Sequence, residues 1–207
     1  YLRLIGSKNK PIILSTGMSS IEEIERALNI ITNSGSLKEN ITILQCNTEY
    51  PTPFQDVNLK TIETIKNIFA VETGFSDHTL GIEASLAAVS LGAKIIEKHI
   101  TLDQKMLGPD HKASLDPLTF KKMVFSIRNI EQALGDGVKK VTKSESKNIS
   151  LVRKSIFAYR SIKKGEVFTL DNICTKRPCS GISAIHWDKV LGLKAKKDFL
   201  PDEKIII

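Results

Sequence analysis

Residues 70–100 read AVETGFSDHTLGIEASLAAVSLGAKIIEKHI, and this stretch decides the fold. An apolar run ends at Phe75 and passes into the polar triplet Ser76-Asp77-His78. An Ala- and Leu-rich segment from about Ile82 to Leu91 reads as a helix, and Lys94 to Ile100 reads as a second strand carrying Glu97-Lys98-His99. Strand, helix and strand in that order form one parallel βαβ unit.

The same grammar extends upstream. Pro11 to Leu14 reads as a buried strand, followed by Ser15-Thr16-Gly17. Ser19 or Ser20 then caps a helix striped by Ile21, Ile24, Leu28 and Ile31, with Glu22 and Glu23 in its first turn. Ile41 to Leu44 begins another strand, ending in Asn47-Thr48-Glu49-Tyr50 before a helix striped by Ile62, Ile65 and Phe69. Downstream, Phe120, Met123, Val124, Ile127 and Leu134 form the apolar side of a long helix stopped by Gly135. Strand starts recur roughly every 25 to 30 residues, the length of one strand–helix unit with its loops. Four units do not close a (β/α)₈ barrel. A four-unit open sheet would show a Gly-rich phosphate loop after its first strand, and STGMSS is a poor version of one. The expected architecture is therefore the second half of a TIM barrel over residues 1–134.

Residues 135–152, opening with GDGVKKVTKSESK, are polar and charged and read as a linker. From 153 to 207 short apolar patches are broken by Lys163-Lys164-Gly165-Glu166, Pro178, Gly181, Gly192 and Pro201. That pattern predicts a small, turn-rich, mostly β second domain. The first residues, Tyr1-Leu2-Arg3-Leu4, carry neither an initiator Met nor a signal-peptide pattern, and read as the inside of a domain.

Composition narrows the function classes. Among 207 residues, 41% are hydrophobic and 26% charged, ordinary for a soluble globular protein. No apolar run approaches the length of a membrane span. Cys46, Cys174 and Cys179 are odd in number and irregularly spaced, which suits reduced thiols in a cytoplasm. Thirty basic against twenty-three acidic side chains give a formal charge of +7, readable as attraction of an anionic substrate or as a Lys-rich solvated surface. Isolated pairs such as Lys139-Lys140 and Lys196-Lys197 do not make the basic stripe with aromatics that nucleic acid requires.

Strand C-terminal ends of a parallel barrel share one face, where ligands bind. Side-chain alternation places Ser76 with His78, and Glu97 with His99, on the same side of their strands. Two imidazoles on neighbouring strands can share a divalent cation, or each can simply be hydrogen-bonded. The same alternation turns Lys98 toward the helix layer, which disfavours a Schiff-base aldolase. Ser15, Thr16 and Gly17 precede a helix start, suited to a phosphate or carboxylate or to plain capping. Thr48 and Tyr50 share one face of their strand end, with Asn47 and Glu49 on the other. Gly108-Pro109-Asp110-His111 follows the fourth strand, where Asp110 could bind a polyol or belong to a turn.

KPIILSTGM, LQCNTEYPTPFQDVNL, GFSDHTLG, IIEKHITLD, GPDHKASLDP and KRPCSGIS occur in this order. Over nearly the whole chain from Pro11 they resemble the bacterial N-acetylneuraminate (sialic acid) synthases. The resemblance implies a (β/α)₈ barrel followed by an antifreeze-like SAF domain. It implies condensation of phosphoenolpyruvate with open-chain N-acetylmannosamine and water, releasing phosphate, or synthesis of a related nonulosonic acid such as legionaminic acid. It implies a Mn²⁺ or Mg²⁺ held by His78 and His99. Ser15 and Ser76 match residues that hold phosphoenolpyruvate. Thr48 falls where members carry Asn or Ser, while here the Asn is Asn47, so both positions are candidates and alternation favours Thr48. Tyr50 and Asp110 match residues on the sugar hydroxyls. Arg177 matches an arginine that enters the partner subunit's barrel, so a domain-swapped homodimer is implied; Cys179-Ser180 stand where the family usually has Gly-Asn. Acidic and lysine residues of the first four barrel strands lie outside this chain, so the 207 residues alone are expected to be inactive. The rival reading is a non-catalytic module whose antifreeze-like segment binds carbohydrate, which the charged Lys176 and Arg177 fit badly.

Overall fold

The computed structural model describes residues 1–207 and divides into two compact units, Tyr1–Gly137 and Val138–Ile207. The first unit runs α1 (Leu2–Gly6), β1 (Ile12–Ser15), α2 (Ile21–Asn33), β2 (Ile41–Cys46), α3 (Thr61–Phe69), β3 (Glu72–Asp77), α4 (Glu83–Ser90), β4 (Ile96–Lys98) and α5 (Pro117–Leu134). Its four strands form one parallel sheet in the order β1-β2-β3-β4. A parallel bridge from Ile100 to Leu115 continues the sheet past β4. This is half of a TIM barrel, as the strand spacing implied.

Local chemistry sets the element ends. Ser20, not Ser19, caps α2, in a capping box with Glu23. Asp116 caps α5, accepting from Leu118 and Thr119, with Pro117 in the first turn. α3 ends at Ala70, which adopts a left-handed backbone (φ 47°). Strand alternation then sorts the side chains. Ile41, Ile43 and Val71 pack with Ile24, Leu28 and Ile31 of α2. Phe75 packs with Ala84 and Ala88 of α4. The opposite face of β1 is open, with Ile13 56% exposed.

β4 is shorter than the expected Lys94–Ile100, although the amide of Lys94 still donates to the Thr73 carbonyl. The helix that follows β4, α5, does not start at once. The loop from Leu102 to Ser114 comes between them, and α4 packs against α5 through Val89, Met123 and Ile127.

The second unit holds α6 (Lys143–Ser146), α7 (Ile149–Val152), β5 (Ser155–Ala158), β6 (Ile173–Lys176) and α8 (Trp187–Val190). The stretch 135–152, expected to be a linker, carries two one-turn helices, and from Val138 it clusters with this unit. Thr142 and Glu145 form a capping box that starts α6. The mostly β expectation holds in a sparse form. β5 and β6 pair antiparallel, and isolated bridges such as Phe157 to Lys204 and Ile162 to Phe199 complete the framework. Its core is Ile156, Ala158, Ile162, Phe168, Ile173, Val190, Phe199 and Ile205. No helix of the molecule is long and apolar enough to cross a membrane.

Candidate functional site

The site lies at the C-terminal ends of β2, β3 and β4. β3 and β4 pair in register through Ser76 with Glu97 and Asp77 with Lys98. Ser76 is buried and donates to Glu97 Oε1 at 2.6 Å. One residue further on, the rings of His78 and His99 sit 5.1 Å apart, centre to centre, at 86°. His78 Nδ1 lies 2.7 Å from the Asn47 carbonyl. A carbonyl only accepts, so Nδ1 carries a proton, which leaves Nε2 as the nitrogen a ligand would meet. His99 Nδ1 faces Asp110 Oδ2 at 3.7 Å.

This donor set fits a divalent cation. Two imidazoles ligating one ion at about 2.1 Å, at roughly 90–110° to each other, bring their ring centres to about 4.5–5.2 Å. The observed separation falls in that window. A carbonyl or carboxylate at the far ring nitrogen also orients imidazole ligands in metal sites. No cluster of three or more His, Cys, Asp and Glu side chains suited to a metal is present. Two imidazoles are the donors that this rim would offer such an ion.

Tyr50 joins the pair from the end of β2. Its ring stacks on His99 at 4.4 Å and meets His78 edge-on at 5.3 Å. Its hydroxyl lies 3.1 Å from Ser114 Oγ, and Ser114 Oγ donates to the Asp110 carbonyl at 2.8 Å. Burial pushes the Tyr50 phenol above its ordinary pKa; the Ser114 hydrogen bond acts against this, while Asp110 and Asp77 add to it. Tyr50, Ser114 and Asp110 thus tie the loop after β4 to the histidine pair.

Asn47 and Thr48 separate cleanly. Asn47 Oδ1 accepts from the Glu49 amide, so its side chain serves the loop. Thr48 turns toward β1: a Cβ on Gly17 would meet Thr48 Cγ2 at 2.5 Å. Ser15 is exposed on the open inner face of β1. Arg177 follows β6 in the second unit, exposed, its Nε donating to the Val152 carbonyl at 2.8 Å.

Two participants were not singled out by sequence. Glu97 shares the inner face with His99, which alternation already said, but its bond to Ser76 makes it a lining carboxylate. Ser114 left no sequence signal beyond lying in HKASLDP. Behind this rim, Asp77 and Lys98 form a buried ion pair at 3.1 Å, with side chains 0% and 1% exposed. Burial pushes the Lys98 ammonium below its ordinary pKa, against Asp77, which holds it up. Lys98 faces the helices as expected.

Known proteins bear on the family. Residues 1–139 match the NeuB family, and residues 153–205 match the SAF domain. The chain is 54% identical over 205 residues to the N,N'-diacetyllegionaminic acid synthase of Campylobacter jejuni, covering 99% of this chain and 61% of that protein. It is 37% identical over 177 residues to the human N-acetylneuraminate-9-phosphate synthase, covering 85% and 48% respectively. Among solved structures, the N-acetylneuraminic acid synthetase of Leptospira borgpetersenii superposes with a TM-score of 0.64 at 36% identity, covering 72% of this chain and 51% of that one. The chain thus spans about three fifths of the length of the Campylobacter relative. Half-barrel, small second unit and these matches point the same way: the chain belongs to the NeuB family and carries a SAF domain.

Proposed function

We propose that the full-length protein is a nonulosonic acid synthase that condenses phosphoenolpyruvate with an N-acetylated amino sugar and water, releasing phosphate. The observation that carries this is the convergence of His78 and His99, with Tyr50, Ser76 and Glu97, on one strand-end rim. His78 and His99 would hold a Mn²⁺ or Mg²⁺. When bound, such an ion acts as a Lewis acid on the sugar aldehyde.

The chain's own residues have distinct tasks. Ser15, Ser76 and Thr48 hold the phosphate and carboxylate of phosphoenolpyruvate. Tyr50 and Asp110 hold the sugar hydroxyls, and Tyr50 packs against His99 to fix the ring plane. The phosphoenolpyruvate C=C pair forms a bond to the aldehyde carbon while the aldehyde C=O pair moves to oxygen, which takes a proton; water then adds at the cationic carbon bearing the phosphate. Glu97 lies on the rim next to Ser76 and is the carboxylate suited to take the proton from that water. The tetrahedral intermediate then expels phosphate.

Two N-acetylated sugars compete. The greater identity to a diacetyllegionaminic acid synthase, 54% against 37% for the human neuraminate relative, favours a sugar with two acetamido groups over N-acetylmannosamine. The test is phosphate release by the full-length enzyme with each sugar. A kcat/KM at least about 10-fold higher for the diacetamido sugar supports this reading, since a buried amide partner left unmatched costs about that much. Preference for N-acetylmannosamine assigns N-acetylneuraminate as the product instead.

Arg177 acts in a homodimer, reaching the N-acetyl group in the partner subunit's barrel. Three free cysteines support a cytoplasmic setting. The 207-residue chain by itself releases no phosphate; measurable turnover by it would refute that division of labour.

A further inference from the structure

The β3–β4 ladder stops one residue short of the histidine pair. Its registered partners are Phe75 with Ile96, Ser76 with Glu97 and Asp77 with Lys98, and His78 and His99 lie just beyond. Ladder hydrogen bonds between these two strands therefore do not set the 5.1 Å between the two rings. Something else must hold two strand ends together at that point.

The buried pair behind the rim is built to do so. Lys98 Nζ reaches across from β4 to Asp77 Oδ2 at 3.1 Å and to the Thr79 carbonyl at 2.5 Å. Those two partners flank His78 in sequence, so one ammonium grips the chain on both sides of it. Asp77 is itself locked: Oδ1 accepts from the Thr79 amide and hydroxyl at 2.8 Å each, and Oδ2 accepts from Ser85 of α4 at 2.5 Å. The far side of each histidine is pinned separately. The Thr52 amide donates to the His78 carbonyl at 2.9 Å, and the Leu115 amide to the His99 carbonyl at 3.0 Å.

We infer that Lys98 and Asp77 are positioning residues, a charge clamp in the helix-facing layer that sets the spacing of His78 and His99 and hence the grip of the pair on a divalent cation. This rests on the reading of the two histidines as metal ligands. Neither clamp residue faces the rim, so their effect passes entirely through the backbone of residues 77–79 and 98–99. A buried pair replaced by uncharged residues of similar size often leaves the protein folded, whereas removing one partner strands a charge.

The test uses the full-length enzyme and Mn²⁺ alone, titrated calorimetrically without substrate. The paired variant Asp77→Asn with Lys98→Met removes both charges. Its Mn²⁺ Kd is expected to rise by about 10-fold or more, the usual consequence of losing a group that orients metal ligands. KM for phosphoenolpyruvate at saturating Mn²⁺ is expected to stay within roughly threefold, because Ser15, Ser76 and Thr48 are untouched. The milder Ser85→Ala, which frees one oxygen of Asp77, reads the same shift at smaller size should the paired variant not fold. Unchanged Mn²⁺ affinity in a folded paired variant, or in Ser85→Ala when that is the variant in hand, overturns the clamp while leaving the histidine assignment standing. Failure of the unmodified enzyme to bind Mn²⁺ overturns both.

Discussion

The two faces of β3 and β4 at their C-terminal ends carry similar chemistry to opposite ends. On the inner face Ser76, His78, Glu97 and His99 present a hydroxyl, a carboxylate and two imidazoles toward the barrel interior. On the outer face, one residue out of phase, Asp77 and Lys98 bury a full positive and a full negative charge against α4. The inner groups leave valences open; the outer groups have theirs filled by Thr79, Ser85 and each other. Unfilled valence is what a ligand can use, and filled valence is what a fold can use. The difference teaches that polar residues at a strand end must be sorted by phase before they are read as a site.

The sharpest break between the faces is His99→Ala in the full-length enzyme. Loss of one imidazole should lower metal-stimulated turnover by about three orders of magnitude, since Lewis-acid stabilisation contributes several kcal/mol. The melting temperature should move little, because His99 is partly exposed and its ring loses only the stack on Tyr50 and the contact with His78. Phosphate release and thermal unfolding on the same preparation check both halves. Retained turnover would remove the inner face from the chemistry.

Lys98→Met reverses the pattern. Asp77, 0% exposed, would be left as an uncompensated buried charge, which costs about 3–5 kcal/mol. Denaturant unfolding should register that loss in full. The Met stem fills the space of the lysine chain, so a stability loss under about 1 kcal/mol would mean that Asp77 is already satisfied without its partner.

Tyr50 stands between the faces in size of effect. Tyr50→Phe keeps the stack on His99 and deletes only the hydroxyl that meets Ser114. KM for the sugar is expected to rise roughly 10-fold, the worth of one well-made hydrogen bond in a partly buried site. The pH behaviour follows from the raised phenol pKa, whose main cause is burial. In the folded state the proton is held more tightly than in the unfolded chain, where the phenol ionises near 10.0. The resulting stabilisation is whole below pH 10 and is lost as pH rises through the folded pKa. The wild-type minus Tyr50→Phe difference in phenolate absorbance should therefore develop at higher pH than in the unfolded protein. A difference titrating at or below 10 would contradict the buried environment.

Much of this was legible in the sequence, for a physical reason. Strand residues alternate and helix residues recur every three to four, so Ile24, Leu28 and Ile31 or Ser76 and His78 announce their faces by spacing alone. What spacing cannot give is partnership across elements. Nothing in SDH or EKH says that Asp77 meets Lys98, that Ser76 meets Glu97, or that Ser114 waits for Tyr50, because those contacts join residues 21 to 64 positions apart. The second unit was less legible because its strands are short and paired largely through isolated bridges, so no period builds up. Within the stretch 135–152 the one-turn helix α6 has a local cause. Thr142 and Glu145 spell a capping box, which outweighs the surrounding lysines and starts a turn of helix.

The smallest expected effects come from two neighbours at the end of β2, which sharpen the comparison to a single peptide unit. Asn47 and Thr48 are adjacent, yet Asn47 Oδ1 caps the Glu49 amide while Thr48 packs toward Gly17 on the side of Ser15. Asn47→Ala keeps the backbone carbonyl that orients His78, so metal binding should persist. It loses the side-chain bonds to the Glu49 amide and the Asp56 carbonyl, and stability should fall by about 1 kcal/mol with KM for phosphoenolpyruvate little changed. Thr48→Val is close in shape and still fills the space beside Gly17, so stability should hold, while KM for phosphoenolpyruvate rises about three- to tenfold through the lost hydroxyl. If the two variants trade places, with Asn47→Ala raising KM and Thr48→Val lowering stability, then phase along the strand does not divide binding from framework at this end of the sheet.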